Sequence, residues 1–168
     1  AQKFLATGEE FQSVVVFSSS SVETKRESDN PLEREQINEM LALESELQLS
    51  AKTRDLTLVI FRPTLIYGCG LDTNISLLAK WIRRLGFLPV NGKATGLRQP
   101  VHADDLAEAA TSALLSKLNL PPMLYLRGGD TLSYSEMIGR IFPAVGKPVR
   151  ILRLPQWLFV LLVRLTRT

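Results

Sequence analysis

The residues of this sequence that are best suited to bind or react with a ligand carry hydroxyl or cationic side chains. Four consecutive serines, Ser18 to Ser21, follow the apolar run S-V-V-V-F at 13–17. Serines at the carboxyl end of a buried strand are placed to touch a ligand, although serines in a loop also satisfy backbone groups and cap the next element. Arg98 and His102 share one short segment. An arginine in a cleft suits a phosphate, because its guanidinium forms bidentate, charge-assisted hydrogen bonds.

A Ser/His/Asp hydrolase is an alternative interpretation of these residues. It would use Ser20 and His102 with Asp104 or Asp105. The sequence disfavours it, because there is no G-x-S-x-G nucleophile elbow and no glycine beside the serines to let the chain turn sharply. There is also no G-x-G-x-x-G or G-x-x-x-x-G-K-S/T loop to cradle a pyrophosphate. One histidine and one cysteine cannot form a Cys/His cluster for a structural zinc ion.

The stretch 55–70 contains the predicted strand around which the other elements are arranged. It reads D-L-T-L-V-I-F-R-P-T-L-I-Y-G-C-G. Residues 56–61 are apolar and rich in β-branched side chains, which predicts a strand buried on both faces of a parallel sheet. Arg62-Pro63 is expected to end this strand. Ligands of open α/β sheets bind at the carboxyl ends of strands, so Tyr67 is predicted at the rim of a site. An ordinary proline turn is the alternative.

A βαβ unit should connect the two apolar runs. The charged segment 23–30 is expected to be a loop, and Asn30-Pro31 predicts a helix that runs to about Leu49. Such crossovers join parallel strands, so the two strands should be neighbours, with the serines and Tyr67 on the same edge. One side of the helix is predicted to carry Ile37, Met40, Leu41, Glu44, Leu47 and Ser50.

The rest of the chain alternates between short strands and helices. Ser133 and Glu136 form a capping-box pattern at a helix start, and Asp104 and Asp105 suit the positive end of a helix dipole. The segment 154–165 is almost wholly apolar and too short to span a bilayer, but suits a core helix or an interfacial one. Helices are predicted at 1–12, at 73–85 before Gly86, from Asp104 and after Ser133, and strands at 87–90, 99–102, 123–126 and 149–152.

Composition sets the outer limits. With 168 residues the chain is one domain or a piece of one. A net charge of +3 is mild and predicts no nucleic-acid partner. The single cysteine, Cys69, excludes an internal disulfide and fits a reducing compartment such as the cytoplasm. The chain opens with Ala1 and not with methionine, so an upstream portion is expected.

Four blocks carry a resemblance to a known family. They read S-V-V-V-F-S-S-S-S-V, I-F-R-P-T-L-I-Y-G, G-L-R-Q-P-V-H-A-D-D-L-A-E-A-A and L-Y-L-R-G-G-D-T-L-S-Y-S-E-M-I. In this order they resemble the second half of an extended short-chain dehydrogenase/reductase, and more closely the nucleoside-diphosphate-sugar epimerase/dehydratase group. The resemblance implies an α/β, Rossmann-like parallel sheet that binds NAD or NADP, followed by a small substrate domain. The family's cofactor loop lies on its first strand, so the chain is expected to be a fragment without the first βαβ units.

The resemblance also implies domains and residue roles. Residues 1–70 would end the NAD(P)-binding domain, and 71–168 would mix the substrate-binding domain with the remaining Rossmann elements. His102 and Asp105 match a V-H-x-x-D-L-A signature that is largely structural in the family. The implied site residues are Ser20 as the catalytic residue that hydrogen-bonds the substrate hydroxyl or carbonyl, Ser18 and Pro63 beside the cofactor, and Arg98, Ser19 and Tyr67 on the substrate, with Arg98 on its diphosphate.

One departure from the family is serious. The family's catalytic tyrosine and lysine, spaced Y-x-x-x-K, belong on the helix after the serines, where the lysine lowers the pKa of the tyrosine and holds the nicotinamide ribose. This helix begins P-L-E-R-E-Q-I-N-E-M and contains neither residue there. If Glu44 matches the family's glutamate, Gln36 and Met40 occupy the two positions; a shift by two places Arg34 and Asn38 there instead.

A further departure concerns the sugar nucleotide, since Leu65 replaces the usual asparagine of R-P-x-N-x-Y-G. Three hypotheses follow. The first is an NAD(P)-dependent oxidoreductase or epimerase that acts on a nucleotide-sugar. The second is a non-catalytic dinucleotide-binding or interaction protein that has lost the Tyr/Lys pair. The third, compatible with both, is peripheral membrane contact through 154–168; a homo-oligomer stays open.

Overall fold

The computed structural model describes residues 12–115 and 119–158. Within them, helices alternate with short strands, as predicted for an α/β fold. The strands are β1 (Ser13–Phe17), β2 (Thr57–Pro63), β3 (Leu65–Tyr67), β4 (Leu88–Asn91), β5 (Leu97–Arg98), β6 (Pro100–His102), β7 (Met123–Leu126), β8 (Leu132–Ser133) and β9 (Ile151–Leu154). The helices are α1 (Ser21–Thr24), α2 (Pro31–Thr53), α3 (Ile75–Leu85), α4 (Ala103–Leu115) and α5 (Tyr134–Ala144).

The chain divides into two compact units. The described residues of the first unit lie within Ala1–Thr64 and Asp104–Arg127, and those of the second within Leu65–Ala103 and Gly128–Thr168. Each unit therefore takes two separate pieces of the chain. The sequence-based domain boundaries at 70 and 71 stay a prediction.

A parallel three-stranded sheet in the order β1-β2-β7 forms the centre of the first unit. Its register pairs Ser13 with Thr57 and Phe17 with Phe61, which confirms the predicted parallel neighbours. The central strand β2 is buried from Val59 to Pro63, which confirms the predicted buried strand at 56–61 for its last three residues, whereas Thr57 is exposed and Leu58 half-buried. The expectation that β1 is equally buried is wrong for the described residues: its side chains are half-buried and Phe17 is 48% exposed, because β1 is an edge strand of this sheet.

The sequence suggested that strand β2 ends before Arg62 and Pro63. This prediction is wrong, because β2 continues through both residues. Pro63 pairs with Leu126, and the Thr64 amide donates to the Leu126 carbonyl at 3.0 Å. The proline lacks an N–H, but its carbonyl still accepts a hydrogen bond, 3.0 Å long, from the Ser20 amide. The ladder therefore needs no donor from Pro63.

Helix α2 confirms the predicted crossover. The Asn30 side chain caps it by accepting a hydrogen bond from the Leu32 amide at 3.1 Å, and Pro31 is its first residue. It ends at Thr53, four residues beyond the predicted end at Leu49. The segment predicted as a charged loop from residue 23 overlaps a short helix, α1. Of the six residues predicted to share one side of α2, Ile37, Glu44 and Leu47 are buried and the other three are half-buried, and Ala51, which was not predicted, is buried as well.

The second unit packs α3 and α5 around short two-stranded pairings. Strands β3 and β6 are parallel, β4 and β9 are parallel, and β5 and β8 are antiparallel. Gly86 ends α3 in the left-handed conformation (φ 75°), and Ser133 and Glu136 form the predicted capping box of α5. The core consists of Ala79, Ile82, Leu88, Val90, Ile138, Ile141 and Phe142.

Two predicted terminal helices lie mostly outside the described residues. The first covers 1–12, of which only Gln12 is described, and the second covers 154–165, of which 154–158 are described. The described part of the chain contains no helix with the length and apolar character needed to cross a bilayer.

Candidate functional site

The serines that follow β1 are attached to the carboxyl end of β2. The Ser18 amide donates to the Phe61 carbonyl at 2.7 Å, and the Ser20 amide donates to the Pro63 carbonyl at 3.0 Å. The parallel ladder thus extends past the last residue of β1. Four predicted site residues, Ser18, Ser19, Ser20 and Pro63, come together at this sheet edge, where open α/β sheets bind ligands.

The hydroxyls of these serines have different surroundings. The Ser18 hydroxyl bonds to the Glu44 carboxylate, and the Ser19 oxygen accepts a hydrogen bond from the Ser21 amide at 3.1 Å. Ser20 precedes α1 with a helical backbone (φ −65°, ψ −11°), and among the described residues its side chain caps nothing in that helix. Ser20 is therefore the serine of this group whose hydroxyl can turn to a ligand without losing a structural bond.

A buried ion pair lies beneath the serines. Arg62 Nε donates to Glu44 Oε1 at 3.0 Å, and Arg62 Nη2 donates to Glu44 Oε2. The two residues are only 7% and 6% exposed. Two parallel hydrogen bonds and the Ser18 hydroxyl offset the cost of removing both charges from water. This pair fixes the side of α2 that faces the end of β2.

The ion pair continues into a chain of hydrogen bonds. Arg62 Nη1 donates to the Tyr125 hydroxyl at 2.5 Å, and the Tyr125 hydroxyl donates to Glu23 Oε1 at 2.6 Å. The Arg127 guanidinium lies 5.4 Å from the centroid of the Tyr125 ring. These contacts connect α1, α2, β2 and β7 at the same edge as the serines.

The charges of this network are set by its geometry. Burial alone would raise the pKa of Glu44, but the hydrogen bonds from Arg62 and Ser18 outweigh it and hold that pKa below its usual value. The hydrogen bond to Glu44 raises the pKa of Arg62 against the effect of burial. Burial, together with the bond to Glu23, raises the pKa of Tyr125. At neutral pH the network therefore contains a carboxylate, a guanidinium and a neutral phenol.

Arg98 and Tyr67, the predicted substrate residues, belong to the second unit. Arg98 is exposed on β5, where its Nη1 donates to the Leu97 carbonyl at 2.7 Å and its guanidinium lies 5.6 Å from the Tyr134 ring centroid. This stacking orients the guanidinium while leaving it accessible. Tyr67 ends β3 and meets the His102 ring edge-to-face, with centroids 5.0 Å apart.

The loop after Tyr67 is held close to His102. Gly68 has a φ of 129°, and a Cβ there would lie 2.8 Å from His102 Nε2. Asp72 then accepts one hydrogen bond from the Ser76 amide, in the first turn of α3, at 2.9 Å, and another from the Gly68 amide of the loop at 3.4 Å. The predicted common edge of the serines and Tyr67 stays a prediction, since they belong to different units.

Sequence reasoning missed the Tyr125 and Glu23 contacts and the pairing of Glu44 with Arg62. A signal for the pair was present: Glu44 lies on the apolar side of α2, and Arg62 ends an apolar strand. Charged residues at core positions are almost never buried alone, so they should have been paired. For metals, no cluster of three or more His, Cys, Asp or Glu side chains suited to an ion occurs among the described residues.

Comparison with known proteins gives one curated relative. No family model matches the sequence. The chain is 27% identical over 124 residues to a UDP-glucose 4-epimerase from Vibrio cholerae, an alignment that covers 73% of this chain and 38% of that enzyme. The chain thus spans well under half of the length of this relative.

Solved structures share the fold. A UDP-N-acetylglucosamine 4-epimerase from Methanobrevibacter ruminantium, in complex with UDP-N-acetylmuramic acid, matches with a TM-score of 0.65, 16% identity, 85% of this chain and 50% of its own. A UDP-glucose 4-epimerase from Thermus thermophilus, in complex with NAD, matches with a TM-score of 0.63 and 19% identity, over 86% of this chain and 51% of its own. The protein RMD from Pseudomonas aeruginosa, complexed with NADPH, matches with a TM-score of 0.69 and 19% identity, over 92% of this chain and 58% of its own.

These comparisons confirm two of the sequence predictions. The fold is α/β and Rossmann-like, and the chain corresponds to about half of each solved structure. The resemblance to extended short-chain dehydrogenases/reductases of the nucleotide-sugar epimerase kind is also confirmed. The roles assigned to individual site residues stay predictions.

Proposed function

We infer that this chain, which has the fold and the sequence blocks of the extended short-chain dehydrogenase/reductase epimerases, is the substrate-facing part of an NAD(P)-dependent epimerase or dehydratase. The whole protein is proposed to act on a nucleotide-sugar as an oxidoreductase or isomerase. A homo-oligomer is compatible with this function, and a reducing, cytoplasmic setting suits the single thiol of Cys69.

The observation that carries the proposal is the serine edge of the first unit. Ser20 is anchored through its amide to the Pro63 carbonyl at 3.0 Å, while its hydroxyl is not used to cap α1. Backbone anchoring with a free hydroxyl is what a residue needs to hydrogen-bond a sugar hydroxyl, or the carbonyl that replaces it during oxidation. We assign this role to Ser20, with Ser19 beside it on the substrate.

This chain contains residues for only one end of the proposed NAD(P) cofactor. Bound NAD(P) would supply a hydride acceptor for the sugar carbon. The described residues fit the nicotinamide end of such a cofactor, because Ser18 and the buried Pro63 lie at the carboxyl edge of the parallel sheet. The dinucleotide phosphates would need a glycine-rich loop, which this sequence does not contain.

The substrate side rests on Arg98. Its guanidinium is exposed, oriented by Tyr134 and able to pair with a diphosphate through charge-assisted bonds. Tyr67 is a second candidate contact for the sugar nucleotide. Neither residue has a structural ion pair among the described residues that a ligand would have to break.

A non-catalytic dinucleotide-binding protein is the second candidate function. The Glu44–Arg62 pair favours the alignment in which Glu44 matches the family's glutamate, since it faces Glu44 toward the end of β2. In that alignment Gln36 and Met40, two turns and one turn earlier on α2, occupy the tyrosine and lysine positions. A glutamine and a methionine cannot act as a general acid/base pair, so a bound substrate would be held and not converted.

Binding and turnover, measured on the complete protein as encoded, test both functions. Calorimetry first measures the binding of NAD, NADH, NADP and NADPH. It then measures the binding of UDP-glucose in the presence of the dinucleotide that binds most tightly. The oxidoreductase proposal expects binding of both ligands and interconversion of the sugar, with Ser20→Ala lowering turnover about 100-fold, as loss of one positioned hydrogen-bond donor does. Ser45→Ala, on the exposed side of α2, is the matched control.

The outcomes separate the candidates. Binding of both ligands without turnover supports the non-catalytic function. If neither ligand binds, both candidates are wrong, and the likeness to the epimerases is one of fold alone.

A further inference from the structure

The charges of the chain are distributed very unevenly between the two units. Residues 65–103 and 128–168, the second unit, contain eleven lysines and arginines but only three acidic residues, Asp72, Asp130 and Glu136. The ranges of the first unit contain nine basic and fourteen acidic residues. The mild net charge of +3 therefore conceals a strongly cationic second unit.

Helix α3 of this unit presents an apolar stripe to solvent. Leu77, Trp81 and Leu85 recur every four residues, so they lie along one side of the helix, and they are 44%, 43% and 47% exposed. The opposite apolar side, with Ala79 and Ile82, is buried against the core. The helix thus has two apolar surfaces, of which only one is covered by the described residues.

Cations accompany the exposed stripe. Lys80, Arg83 and Arg84 are all exposed on α3, and the helix contains no acidic residue. Their long aliphatic stems can extend along the apolar surface while the charged ends reach a polar layer. An apolar stripe with leucine and tryptophan, bordered by lysine and arginine, is the pattern of helices that lie in the interface of a membrane.

We propose that this face of α3, formed by Leu77, Trp81 and Leu85 with Lys80 and Arg84 along its border, docks on an anionic phospholipid surface. The stripe would enter the boundary between headgroups and acyl chains, and the Lys80 and Arg84 cations would contact the lipid phosphates. Charge complementarity decides in favour of lipid over a second copy of the chain. A symmetric pair of α3 helices would bring like charges together without an acidic residue on either helix to compensate them.

The docking face lies on α3 and includes no residue of 154–168, the segment for which the sequence predicted membrane contact. The inference is independent of the proposed enzyme activity. Docking would place a nucleotide-sugar site of the second unit close to a membrane, but the docking itself requires neither cofactor nor substrate.

Co-sedimentation of the complete protein with vesicles tests the proposal. Vesicles of phosphatidylcholine alone are compared with vesicles that also contain phosphatidylglycerol. We expect binding to the anionic vesicles only, weakened when salt is raised from about 0.1 M to about 1 M, because the Debye length falls from about 10 to about 3 Å. Removing two cations in Lys80→Gln/Arg84→Gln should weaken partitioning about fivefold for each charge.

Matched variants separate this surface from general effects. Leu77→Gln/Leu85→Gln should abolish most of the binding, whereas Leu43→Gln/Leu49→Gln, two exposed leucines of α2, should not change it. Arg26→Gln/Lys52→Gln, exposed in the first unit, controls for net charge. Thermal unfolding of each variant shows whether it is folded. When Trp157 and any tryptophan encoded outside these 168 residues are replaced by phenylalanine, quenching of Trp81 by brominated lipids reports insertion directly.

Any one of these results would overturn the proposal: no binding, equal binding to neutral vesicles, full binding by folded Leu77→Gln/Leu85→Gln, or unquenched Trp81 in bound protein. A dimer that these two substitutions dissociate would assign the stripe to a second copy. A chain shortened to end at Leu158 should still bind; loss of binding on shortening, with no loss on substitution of α3, would also contradict it.

Discussion

Glu44 of α2 accepts two hydrogen bonds from Arg62 of β2, and both residues are more than nine-tenths buried. Eighteen residues separate them in the sequence. The pair holds the crossover helix against the end of the central strand, directly beneath the serines that follow β1. The position of the candidate site therefore depends on a charged contact as well as on apolar packing.

Breaking this pair should be costly. Replacing either partner alone, as in Glu44→Leu or Arg62→Met, leaves an uncompensated buried charge, and the free energy of unfolding should fall by about 3–5 kcal/mol. The double variant should be more stable than either single variant, because it buries no charge. Urea unfolding of the four proteins gives the coupling energy. Additive losses would show that the pair does not act as a unit.

The same pair predicts a pH dependence. The folded-state pKa of Glu44 is lowered from 4.5, so its contribution to stability is present above that value and is lost as pH falls through the folded pKa. The stability difference between the wild type and Glu44→Gln should therefore shrink as pH is lowered below about 4.5. Urea unfolding of both proteins at a series of pH values measures this difference. A constant difference for Glu44→Gln would refute the prediction.

Gly128 should tolerate no side chain. A Cβ there would lie 1.8 Å from the Pro100 carbonyl oxygen, whereas a Cβ at the neighbouring Gly129 would meet nothing within 4 Å. Gly128→Ala must displace β6, which carries His102, and we expect a loss of at least about 2 kcal/mol. Gly129→Ala should change stability by less than about 0.5 kcal/mol. Thermal unfolding of both variants compares them, and equal melting temperatures would contradict the close approach.

Arg98 should matter for binding and little for folding. Removing a charged hydrogen-bond partner of a diphosphate should weaken UDP-glucose binding about tenfold or more in Arg98→Ala. Arg140→Ala is the matched control, because Arg140 is also an exposed arginine of the second unit, paired with Asp130 on its surface. Calorimetry on the complete protein measures both. Unchanged affinity in Arg98→Ala would remove this residue from the site.

The sequence alone determined the local elements of this protein. The apolar run before Arg62 predicted the buried strand, Asn30-Pro31 predicted the start of α2, and Ser133 with Glu136 predicted a capping box that the structure contains. These predictions succeeded because their causes lie within a few residues of each other. The α/β class followed from the order of the elements, since a strand-helix-strand crossover favours parallel neighbours.

The tertiary structure decided which polar groups are used up and which remain free for a ligand. Three adjacent serines are equivalent in sequence, but among the described residues the Ser18 hydroxyl bonds to Glu44, the Ser19 oxygen accepts from the Ser21 amide, and the Ser20 side chain caps nothing in α1. The exposure of Leu77 and Trp81 on α3 likewise depends on what the fold places against the helix. Both outcomes depend on contacts between residues far apart in the chain, which no local pattern of residue types encodes.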